Sequence, residues 1–105
     1  MSVFVVSFRI SDQTVPLGTY SERWESVNDA IKAQAVGRNY WRETTSFVAL
    51  HSDKTTAQAL ATAIDAGSKF AASVDLLLVV NLSAKGYKIL GNYSDKDIDA
   101  IMALR

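Results

Sequence analysis

The sequence predicts an α+β sandwich in which an antiparallel sheet carries two helices on one face and a short helix follows at the C-terminal end. Three observations carry this expectation. The chain opens on a strand, Val3 to Ile10 (VFVVSFRI), whose larger apolar residues alternate with smaller or polar ones. Two later segments open with capping-box spacing and continue at helical period. An almost continuous apolar run, Asp75 to Leu82 (DLLLVVNL), has the length and character of a central strand buried on both faces.

A chain of 105 residues has room for one core, so one domain spanning 1–105 is expected. Apolar residues make up 49% and charged residues 21%, a balance that fits a globular protein and excludes a disordered one. Lysine plus arginine and aspartate plus glutamate each number 11, so no overall field favours nucleic acid or an anionic membrane, and any nucleic-acid contact needs a local patch. The absence of cysteine removes disulfides and thiolate chemistry and fits a reducing cytoplasm. No leader or membrane-length apolar run is present, and the chain reads as a complete cytoplasmic protein without a membrane partner.

Taken in order, the opening strand places Phe4, Val6, Phe8 and Ile10 on one side and Val3, Val5, Ser7 and Arg9 on the other. The second face is smaller and ends in polar groups, so it is covered by something other than a helix, or only in part. Residues 11 to 19 (SDQTVPLGT) form a loop around the only proline. Thr19 and Glu22 then open a helix with Tyr20, Trp24, Val27 and Ile31 on its apolar stripe, ended by Gly37. Tyr40 to Leu50 is a strand, broken near Thr44.

Thr55 and Gln58 open a second helix carrying Leu60, Ala61 and Ile64 and stopping before Gly67. After Asp75 to Leu82 the turn Ala84-Lys85-Gly86 leads to a short strand, Tyr87 to Leu90. Ser94 caps the last helix, with Ile98, Ile101 and Met102. The order matches a ferredoxin-like sandwich, which requires two strands between its helices where residues 38 to 52 show one clear signal.

Few residues form a chemical motif. Asp95, Asp97 and Asp99 have the spacing of a calcium loop but lack its glycine and its closing glutamate, so they read as acidic residues at a helix start. His51 with Ser46 and Asp53 lacks a nucleophile elbow and reads as a strand-end histidine. Tyr40 and Trp41 beside Arg38 and Arg42 are the local candidates for stacking on nucleic-acid bases. Gly86 and Gly91 are turn glycines outside any phosphate-binding pattern.

Four segments carry a resemblance: VFVVSFRI followed by Ser11-Asp12, Thr44 to Val48 (TTSFV), Asp75 to Leu82, and Lys88 to Gly91 (KILG). In this order they resemble the CRISPR-associated spacer-acquisition subunits and their relatives, the virulence-associated protein D endoribonucleases. The resemblance implies a homodimer in which the two sheets meet, with Val3, Val5, Ser7 and Arg9 turned toward the twofold axis. It also implies an aspartate after the first strand's aromatic, paired across the dimer to hold a divalent metal for phosphodiester cleavage.

Arg9 stands at that aspartate's position, and a guanidinium cannot bind a metal. The expectation is therefore a dimeric binding or assembly module without metal-dependent nuclease activity, with no catalytic residues, no cofactor, and nucleic acid or a protein as partner. Ser7, Arg9, Asp12, Arg42 and Ser46 are the candidates for its nucleic-acid or dimer face. Arg9 pairs with Asp12, Glu43 or a carboxylate of the other subunit in the structural alternative, and two Arg9 side chains clasp a phosphate in the other. An endoribonuclease of toxin type and a small-molecule regulatory domain are the rival functions.

Overall fold

Strand alternation decides which way each residue of the sheet faces, and the opening strand obeys it throughout. A computed structural model describes residues 1–105, with elements β1 (Ser2–Arg9), α1 (Tyr20–Ala33), β2 (Ala35–Trp41), β3 (Phe47–Ser52), α2 (Ala57–Ala66), β4 (Leu76–Asn81), β5 (Tyr87–Gly91) and α3 (Ile98–Met102). All pairings are antiparallel, in the order β2-β3-β1-β4-β5. The first four strands with α1 and α2 make the ferredoxin-like βαββαβ sandwich, and β5 extends it beyond β4 as a hairpin.

Phe4, Val6, Phe8 and Ile10 of the central strand are buried under both helices. They meet Val48 and Leu50 of β3, Leu77 and Val79 of β4, Val27 and Ile31 of α1, and Leu60 and Ile64 of α2 in one core cluster. Side chains on the opposite face are half-buried or exposed. β4 lies fourth in the sheet rather than at its centre: Leu77 and Val79 are buried, whereas Leu76, Leu78 and Val80 on the other face are half-buried. A helix does cover part of that face, since α3 and the segment before it lie over β4 and β5, where the Tyr87 hydroxyl donates to the Asp99 carboxylate.

Two strands fill the interval between the helices. α1 ends at Ala33, and Gly37, expected to stop it, lies inside β2 with φ +60°, where the pairing with β3 shifts register between Ala35 and Tyr40. A strand that starts directly at a helix end and carries such a shift has no clean alternation, so only its Tyr40–Trp41 end was legible. The box at α1 is complete, with Glu22 N donating to Thr19 Oγ1 at 3.2 Å and Thr19 N to Glu22 Oε1 at 2.9 Å. α2 is capped by Thr56 rather than Thr55, and α3 begins after Asp97 rather than at Ser94.

Gly91 ends β5 at φ +103°, opposite Leu76, and a Cβ there would fall 1.9 Å from the Asp75 carbonyl oxygen. Gly91→Ala should therefore cost about 3 kcal/mol or more, combining backbone strain with a steric clash. Urea unfolding measures this, and an unchanged midpoint would remove Gly91 from the structural account.

Candidate functional site

The most constrained polar group of the molecule lies inside it. Arg23 and Asp75 are each 0% exposed and form a bidentate pair, Nε to Oδ2 and Nη2 to Oδ1, both at 3.0 Å. The other guanidinium hydrogens reach the carbonyls of Gln13, Gly18 and Ser11, each at 2.8 Å, so all five donors are used. Asp75 also accepts from the backbone N–H of Ser11 at 2.9 Å and of Ala71 at 3.0 Å. The pair thus fixes the loop after β1, the first turns of α1 and the entry to β4.

Neither residue was a candidate for a buried charge: Arg23 went unremarked on α1, and Asp75 figured only as the head of the DLLLVVNL run. A signal for Arg23 was present, because it lies on the apolar stripe of α1, one turn before Val27, and a cation at a core position requires a buried partner. Asp75, at the head of an apolar run, was the available anion.

Asp75 connects this centre to the open face of the sheet. Its carbonyl accepts from Asn92 N at 2.8 Å, and the Asn92 carbonyl accepts from Arg9 Nη2 at 2.9 Å. Arg9 takes this carbonyl as its partner and forms no ion pair with Asp12 or Glu43. Asp12 lies exposed in the loop, and Ser7 is exposed on the same strand face as Arg9. Ser46 pairs through its carbonyl with Phe8 N and borders a shallow cleft with Arg9, Thr45, Tyr20 and Trp24. The Arg42 guanidinium lies 5.3 Å from the Trp24 ring centre, over α1 and away from the open face.

Alternation also separates the two aromatics of β2: Tyr40 packs against the core, and Trp41 turns to the open face. There Trp41, 47% exposed, meets Phe47, 37% exposed, edge to face with ring centres 6.3 Å apart. Val3, Val5 and Ala49 continue the apolar surface across β1 and β3. His51 sits at its margin with Nδ1 3.4 Å from Asn39 Nδ2.

The donor set does not fit a divalent cation: the implied carboxylate position holds Arg9, and no three His, Asp or Glu side chains converge. Asp95, Asp97 and Asp99 point to separate tasks, since Asp95 accepts from Asp97 N at 2.9 Å and Asp99 is taken by Tyr87. The fold and this half-covered sheet define a ferredoxin-like α+β protein. No family model, curated protein or solved structure matches the chain, and no helix is long and apolar enough to cross a membrane.

Burial acts to raise the Asp75 carboxyl, but the hydrogen bonds from Arg23, Ala71 and Ser11 outweigh it and hold it below the usual carboxylate range. Its stabilisation is therefore present above the ordinary carboxylate pKa and is lost as pH falls through the lower folded-state value. Asp75→Asn should cost about 3–5 kcal/mol near neutral pH and flatten the acid limb of the stability curve. In denaturant titrations the paired variant Arg23→Met with Asp75→Leu should lose less than either change made alone.

Proposed function

We propose that this protein is a homodimeric binding or assembly module in which the uncovered half of one sheet packs on the same surface of a second copy. The observation that carries the reading is the contiguous apolar patch of Val3, Val5, Ala49, Phe47 and Trp41. Patches of this kind, rimmed by polar groups such as Ser7, Asn39 and His51, mark association surfaces. The patch holds no formal charge, so two identical faces meet without repulsion, while a polyanion gains nothing from its centre. The resemblance to spacer-acquisition subunits agrees in placing the twofold axis on this face, and the absence of cysteine agrees with a cytoplasmic setting.

With Arg9 in place of the metal-binding aspartate, the role is association rather than metal-dependent cleavage. A second reading is favoured by the exposed pair Trp41 and Phe47: aromatics on an open antiparallel sheet provide a stacking surface for single-stranded nucleic acid. Exposed Arg38 and Arg9 would then supply phosphate contacts.

Light scattering at micromolar concentration should give twice the chain mass of 11.5 kDa. Trp41→Lys and Phe47→Lys should return the mass to one chain with an unchanged circular dichroism spectrum, because both positions are exposed. A monomeric parent protein overturns the dimer. Mobility shifts with single-stranded RNA at two salt concentrations decide the second reading, which requires salt-sensitive binding lost on the same substitutions.

A further inference from the structure

The other half of the open face contains a built pocket of about 240 Å³. Leu76 and Leu78 of β4 and Ile89 of β5 form its floor, Tyr93 and Ile98 of the α3 segment its wall, and Arg9, Ser94 and Asp95 complete the lining. The volume lies below the roughly 300–1,000 Å³ of drug-sized ligand sites, which sets the occupant's size at that of a small metabolite.

Two charges of opposite sign stand at this pocket without ionic partners. Arg9 gives one N–H to the Asn92 carbonyl and makes no other hydrogen bond or ion pair within the protein. Asp95 accepts only from the N–H of Asp97 and pairs with no cation. The carbonyl of Asn92 is itself fixed through Asp75, so Arg9 is held in place rather than free to sweep through solvent. An ordered cation, an anion and an aliphatic floor in one small pocket are complementary to a molecule with the same three parts.

We propose that this pocket binds a free aliphatic α-amino acid, its carboxylate on Arg9, its ammonium group on Asp95 and its side chain on Leu76, Leu78 and Ile89. Arg9 presents a planar fork suited to a carboxylate. A phosphate would face the like charge of Asp95, and a simple fatty acid would leave Asp95 unpaired beside apolar surface. The site lies under α3, apart from the patch around Trp41 and Phe47, so ligand binding and self-association are separable.

The test is thermal unfolding and calorimetry of the whole protein with leucine, 4-methylpentanoate, which lacks the ammonium group, and 3-methylbutylamine, which lacks the carboxylate. Leucine should raise the melting temperature in a saturable way, as a ligand selective for the folded state does. Each truncated analogue should bind roughly tenfold or more weakly. Arg9→Gln should abolish the preference for leucine over the amine, and Asp95→Asn the preference over the acid; both side chains are exposed and leave the core untouched. A flat melting temperature with leucine, isoleucine, valine and methionine at millimolar concentration overturns the proposal. So does equal binding of the deaminated acid, or a leucine response that survives both substitutions.

Discussion

A guanidinium with no exposure to water is tolerable only when every one of its hydrogens is met, and the loop geometry around Arg23 follows from that requirement. Its five donors draw Ser11, Gln13 and Gly18 inward as carbonyl acceptors and take Asp75 as the counter-charge. The desolvation cost of such a pair is large, and the bidentate geometry with two further backbone donors on the carboxylate offsets it. Through the main chain of Asp75 and Asn92 the same centre sets where β5 ends and where Arg9 comes to rest. A charge buried in the core thus determines the position of a charge on the surface.

The sheet's two faces solve different problems. One is closed by α1 and α2 over a continuous apolar core. The other has only α3, a helix of five residues, and the segment leading to it, which reach across β4 and β5 and leave β2, β3 and much of β1 open. Arg9 stands at the boundary between these halves. Its side chain lines the pocket under the α3 segment on one side and the cleft of Thr45, Ser46, Tyr20 and Trp24 on the other.

Much of this was legible in the residues. The alternation of VFVVSFRI identifies the central strand and its buried face, and the Thr19–Glu22 box fixes the start of α1. β2 was hidden because its register shift at Gly37 breaks the alternation that strand reading relies on. The last helix was legible from Ile98, Ile101 and Met102, but so short an element does not say which face of the sheet it covers. The buried pair is harder to read for a different reason: each charge stands beside apolar residues, but the two are 52 positions apart and nothing local joins them. Of the candidates beside Arg9, Ser46 does border a cleft with it, whereas cation–π packing turns Arg42 toward Trp24.

The irregular outer strand has a bearing on whether the sheet can grow at its edges. A straight, fully alternating edge offers a row of unpaired amides on which another sheet can grow without limit. β2 offers instead a stretch interrupted at Gly37, and the opposite edge, β5, has only five residues before Gly91. Strand-by-strand polymerisation is thereby disfavoured at both ends of the sheet. The register shift around Gly37 thus leaves the outer edge of the sheet a poor template for amyloid-like growth.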